Sequence, residues 1–105
     1  MAKVSLSRQA RLDLLSILEY LTDVAGARTA RTYDSRLKQA SDDLAVSPGI
    51  GSPRAHLGAD TRLIIVNPYL IFYDGGPDSD VVHVLRILHG RRNITPDLVA
   101  RGREP

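Results

Sequence analysis

Val81-Val-His-Val-Leu-Arg-Ile-Leu-His-Gly-Arg-Arg-Asn93 is the stretch whose reading decides the fold. Apolar residues occupy both alternating sets of positions up to Leu88, as in a strand covered on both faces. His89 and Gly90 end it, and a pair of arginines follows. Upstream, Arg62-Leu-Ile-Ile-Val66 and Tyr69-Leu-Ile-Phe-Tyr73 are two more apolar strands, joined only by Asn67-Pro68, which makes them a tight hairpin. Asp74-Gly-Gly-Pro-Asp-Ser-Asp80 is turn chemistry and returns the chain into the long strand.

The first half has a different period. Lys3-Val-Ser-Leu6 predicts a short strand, and Ser7 an N-cap whose hydroxyl accepts from free helical amides. Ala10, Leu14, Ile17, Leu18, Leu21 and Ala25 then recur at helical spacing, with Gly26 as the residue that ends the helix. A second helix is expected from about Ala27 to Ser47, with Ala30, Tyr33, Leu37, Ala40 and Leu44 as its seam. The single-glycine link makes the two helices antiparallel, and Pro48 stops the second. Pro48 to Gly58 reads as a loop, and Thr95-Pro96 as the start of a short last helix. The fold expected is α+β, in the order β-α-α-β-β-β, a helical hairpin packed on an antiparallel sheet. The helices cover one face of that sheet, so the second apolar face raises the question of what covers it.

The 105 residues suit one domain, placed at residues 1–100, with 101–105 expected as a flexible tail. The absence of cysteine excludes a disulfide scaffold and thiolate chemistry, and fits a reducing cytosol. No apolar run approaches the roughly 18 residues of a membrane span, and no signal peptide is recognisable, so a cytoplasmic location is expected. The net charge of +2 is mild, but Arg86, Arg91, Arg92, Arg101 and Arg103 face only Asp97 and Glu104 in the last fifth of the chain. Such an end suits an acidic partner or nucleic acid. His56, His83 and His89 form no metal-ligand spacing; no metal or other cofactor is expected. His83, alternating with apolar neighbours, is expected to be a packing residue.

Several fragments together resemble a known family. Helix 1 carries Ala10, Asp13, Leu14, Ile17 and Tyr20; Leu44, Pro48, Gly51 and Arg54 follow, then Arg62, Ile71-Phe72-Tyr73 and Arg86-Ile-Leu-His89-Gly-Arg91. In this order they resemble the ParE branch of the RelE/ParE toxin superfamily across nearly the whole chain. The resemblance implies the toxin of a type II toxin–antitoxin pair. Such a toxin poisons DNA gyrase by stabilising its cleaved-DNA complex, and is neutralised by a ParD-type antitoxin whose disordered arm folds onto it. DNA is then reached indirectly, through the antitoxin at its own promoter. The resemblance places target contact at Gly90, Arg91, Arg92, Asn93, Leu98 and Arg101. It places antitoxin contact at Arg62, Ile64, Tyr73 and Arg86, with the antitoxin covering the second sheet face.

The sister branch cleaves mRNA on the ribosome, which requires a proton acceptor, a proton donor and cations around the phosphate. The candidates are Arg62, Arg86, His89 and Arg91, with Arg62 and Arg86 side by side on one sheet face as a phosphate clamp. Odd spacing sends His89 to the other face from Arg86. No tyrosine follows His89, and the only lysines are Lys3 and Lys38. The expectation is therefore a binding poison rather than an enzyme. A ribosome-dependent endoribonuclease is the alternative, and a degenerate toxin that serves only as antitoxin partner and co-repressor is the third reading.

Overall fold

The computed structural model describes residues 1–105. Strand β1 (Lys3–Leu6) leads into helices α1 (Arg8–Ala25) and α2 (Ala27–Val46), then β2 (Ser52–Pro53), β3 (Thr61–Val66), β4 (Tyr69–Asp74), β5 (Val81–His89), helix α3 (Pro96–Ala100) and a 3-10 turn at Arg101–Arg103. The expected caps are present. Ser7 Oγ accepts from the Ala10 amide, Gly26 takes a positive φ of 92°, and Thr95 Oγ1 accepts from the Leu98 amide.

The strands form one sheet in the order β1-β5-β4-β3-β2. It is mixed, not antiparallel as expected: β1 runs parallel to β5, from Lys3 opposite Val81 to Leu6 opposite Val84. Two strands far apart in sequence can run parallel because a long crossover, here the helices and the β3–β4 hairpin, returns the chain to its starting side. The 48–58 segment is also not entirely loop, since Ser52 and Pro53 pair with Leu63 and Arg62 on the edge of β3.

The helices pack on one face of the sheet. Leu37, Ala40 and Leu44 of α2 and Ala10 and Leu21 of α1 share a core with Ile71, Tyr73, Val82, Val84 and Ile87. On the other face, Leu63, Phe72, Leu85 and Leu88 are covered by the chain itself. Val99 of α3 is fully buried there, with Leu57 beside it and Ile94 and Leu98 at the margin. This overturns the expectation that a partner must cover the second face. The expected loose tail is docked as far as residue 103: Gly102 is buried, and the Arg103 guanidinium donates to both oxygens of Asp74, to Thr61 Oγ1 and to the Leu57 carbonyl. Five residues of helix have little propensity energy. Burial of Val99 and these polar contacts hold the segment instead.

One irregularity matters for the site. Phe72 pairs with Arg86 but Tyr73 pairs with Val84, so Leu85 is an extra residue in β5. Such a bulge shifts the side-chain alternation by one. Val82 and Val84 face the helices, Leu85 and Leu88 face α3, and Ile87 faces the helices again.

Candidate functional site

Arg86 stands on the strand that the sequence singled out, and its side chain is already committed. Its Nε and Nη2 donate to the two Asp13 oxygens at 2.7 and 2.8 Å, and Nη1 donates to the Leu98 carbonyl at 2.9 Å. Asp13 also accepts from the Ile87 amide at 3.0 Å. The strand geometry explains this use of a helix residue. β1 ends opposite Val84, so the edge of β5 beyond it has no neighbouring strand. Helix α1 takes over: Ser7 donates to the Val84 and Leu85 carbonyls, and Asp13 receives Ile87. Asp13 thus forms an ion pair with a residue 73 positions away. Its hydrogen bonds hold the Arg86 guanidinium charged, above its usual pKa, against the opposing effect of burial.

The expected phosphate clamp does not form. Arg62 pairs with Tyr73, on the helix-facing side, whereas Arg86 pairs with Phe72, on the α3 side. Regular alternation from Val84 would have put both arginines on one face; the Leu85 bulge separates them. Arg62 instead donates from Nη1 to the Gly49 and Gly51 carbonyls at 3.1 and 2.8 Å.

Two of the expected antitoxin contacts are internal. Tyr73 has no exposed surface; its hydroxyl donates to the Pro48 carbonyl at 2.7 Å and accepts from the Gly51 amide at 2.9 Å. Arg86 is 5% exposed. Neither presents its side chain to a partner docked on this surface. Ile64 is half-buried in a groove between α2 and β3, next to Ile65 and Ile50, which are 67% and 53% exposed.

The groups that remain free gather at the far end of β5. His89 is exposed and crosses the Tyr69 ring edge-on at 5.7 Å, and Tyr69 meets Tyr33 in the same way at 5.8 Å. The bulge thus puts His89 on the helix-facing side with Arg62. The two sit on the strands flanking β4, opposite its two ends, and are offset by about 13 Å along the strand direction alone at the usual rise per residue. The Arg91 amide donates to His89 Nδ1 at 3.0 Å, and the Gly90 amide to the Pro68 carbonyl at 2.8 Å. Arg91, Arg92 and Asn93 are exposed on the turn these bonds define, and neither arginine has a carboxylate partner. Arg101 is exposed as well, while Leu98 is half-buried against the sheet. Tyr20 is 62% exposed on α1. No group of His, Asp or Glu side chains is placed to hold a metal ion. No helix is long and apolar enough to cross a membrane.

A sequence model of the ParE toxin of type II toxin–antitoxin systems (parDE) matches residues 4–94, which spans every element from β1 to β5. The chain belongs to the ParE toxin family. Toxin ParE1 of Caulobacter vibrioides is 32% identical over 88 residues, covering 84% of this chain and 88% of that protein. Among solved structures, a chain of the chromosomal ParDE system from P. aeruginosa superposes with a TM-score of 0.70. That match covers 85% of this chain and 96% of the other at 18% identity, and so speaks for the fold alone.

Sequence reasoning missed a second polar cluster of this ParE-family chain. His83, expected to pack internally, is exposed, because the residues flanking it are the ones that face the helices. It pairs with Asp74, which holds Arg103 and Thr61. Burial alone would raise the Asp74 carboxyl. Hydrogen bonds from Arg103 and Thr61, with the nearby charge of Arg103 and of His83, bring it below the usual 3.8. A lowered carboxylate pKa stabilises the fold above the unfolded value, and that contribution is lost as pH falls through the folded one. Wild type should therefore resist urea better than Asp74→Asn at about pH 6, with the gap closing as pH drops below about 4. A gap that stays constant down to about pH 2 would remove the Asp74–Arg103 contact from the account.

Proposed function

We propose that this ParE-family toxin acts by binding DNA gyrase and stabilising its cleaved-DNA complex, with no covalent chemistry of its own. A ParD-type antitoxin neutralises it in the same cytoplasm. The observation that carries the non-enzymatic reading is the commitment of Arg86 to Asp13 and Leu98, with Arg62 on the opposite face. Two of the cations a phosphate-cutting centre would need, Arg62 and Arg86, are spent on the fold. What is left for a target is an exposed turn, Gly90 to Asn93, with Arg101 exposed further along the chain and Leu98 half-buried against the sheet. Family membership supports the antitoxin partner. Its arm finds an apolar groove at Ile64, Ile65 and Ile50, beside the part of β3 that β2 leaves unpaired. A disordered segment can order there by strand addition.

The test is plasmid supercoiling by purified gyrase, followed by detergent and protease to reveal trapped breaks. Wild type should yield linear DNA, and added antitoxin should abolish it. The double variant Arg91→Ala/Arg92→Ala should yield far less linear DNA at equal concentration, while its unfolding free energy stays within about 0.5 kcal/mol of wild type, as for exposed unpaired side chains. Untouched supercoiling together with specific mRNA cleavage on ribosomes would transfer the protein to the nuclease reading. Untouched supercoiling with antitoxin binding alone would leave only the co-repressor role.

A further inference from the structure

A groove of about 350 Å³ runs between α1 and the end of β5, lined by Ser16, Ile17 and Tyr20 on one side and Tyr69, His89 and Arg92 on the other. Its size is in the range of pockets that hold a small ligand. Its chemistry differs from that of the other grooves. Elsewhere the lining cations are already engaged: Arg36 lies over the Tyr33 ring, Lys38 pairs with Asp34, and Arg103 pairs with Asp74. Here Arg92 is unpaired, and Arg91 is unpaired on the same turn. The one carboxylate in the groove, Asp13, is neutralised by Arg86, so it offers little repulsion to an anion. Tyr20 presents an exposed ring, and Tyr69 stays neutral, its phenol raised by burial, then by Tyr33 and Tyr20. His89 Nδ1 accepts from the Arg91 amide, which leaves Nε2 as a donor in the neutral ring.

Aromatic faces beside unpaired arginines are how proteins hold unpaired bases, by stacking and phosphate contact without sequence readout. An acidic peptide would use the arginines but not the ring. We infer that this groove binds a nucleotide of single-stranded nucleic acid, with its base against Tyr20 and its phosphates on Arg91 and Arg92. The inference does not rest on the gyrase reading, because it concerns direct binding in the absence of gyrase.

The probes are fluorescein-labelled oligothymidylate and oligouridylate of about 12 nucleotides, a length suited to single-strand sites. Binding is followed by anisotropy against salt. Binding of either strand by the wild-type chain is expected, and the two probes separate DNA from RNA. Tyr20→Ala should weaken it roughly tenfold, and Tyr20→Phe, which keeps the ring, should restore it. Arg91→Ala/Arg92→Ala should reduce the salt slope by roughly 0.7 for each phosphate that is no longer neutralised. The inference fails if neither strand binds, if Tyr20→Ala binds as wild type, or if polyglutamate competes as well as the oligonucleotides do. All three positions are exposed, so the variants should fold, and urea unfolding checks that they do.

Discussion

Asp13→Ala should lower the unfolding free energy by about 3–5 kcal/mol, the usual cost of removing one partner from a buried ion pair. The side chains of Arg86 and Asp13 are 6% and 11% exposed, so solvent cannot take the place of the missing carboxylate. Truncation leaves the guanidinium with only the Leu98 carbonyl, and leaves the Ile87 amide without an acceptor on the open edge of β5. Each of those orphaned groups is expensive in a low-dielectric interior. The cost is that of an unpaired charge rather than the net worth of the pair. The double variant Asp13→Leu/Arg86→Met should therefore be less destabilised than Asp13→Ala alone. Arg86→Lys should not rescue the native stability, since an ammonium cannot span both carboxylate oxygens and the Leu98 carbonyl. Urea unfolding of the four proteins measures all of this. A loss of less than about 1 kcal/mol in Asp13→Ala would mean that the pair is solvated and that α1 holds β5 by other contacts.

Gly102→Ala should release the C-terminal segment. A Cβ at this position would press on the Leu85 carbonyl oxygen and stand 2.6 Å from its carbonyl carbon, both backbone atoms of the inner strand β5. Leu85 is the bulged residue just beyond the end of β1, but the Ser7 hydroxyl holds its carbonyl and its neighbours Val84 and Arg86 pair with β4, so the 3-10 turn must lift. Overpacking of a core costs about 1–3 kcal/mol, and here the strain also frees the polar and apolar groups on either side of the turn. Arg103 would leave Asp74 and Thr61, and Val99 would loosen over Phe72, Leu85 and Leu88. The expected result is a stability loss of about 2 kcal/mol or more and much faster trypsin cleavage at Arg101, because the released bond enters an open chain. Unchanged cleavage would show that the turn accommodates a methyl group, and that α3 alone holds the segment.

The two results bear on function in different ways. The Asp13–Arg86–Leu98 chain of contacts joins α1, β5 and α3, and so fixes the base from which the Gly90–Asn93 turn projects. Gly102 and Arg103 close the far end of the same segment. A variant in either place should lose target binding only as far as it loses structure. Arg91 and Arg92 should lose binding with structure intact, which separates supporting residues from contacting ones.

Much of the architecture was legible in the residues alone. Both helices, their caps at Ser7 and Gly26, the stop at Pro48, the hairpin and the long strand follow from periodicity and turn chemistry, which are local properties. The spaced motifs carried the family for the same reason. Three features depend on how distant segments meet. The Leu85 bulge turns Arg86 away from Arg62 and brings His89 to the helix-facing side; nothing near Leu85 marks it, because register is set by packing on both sheet faces at once. The pairing of Asp13 with Arg86 spans 73 residues and answers an edge that exists only because β1 is short. The cover on the second face is the chain's own last helix, although five residues from Pro96 to Ala100 promise little by themselves. The sequence alone determined the elements and the family. Tertiary structure decided which charges are spent on the fold and which remain for a partner, because a charge is neutralised by whatever the fold brings within reach, not by its neighbours along the chain.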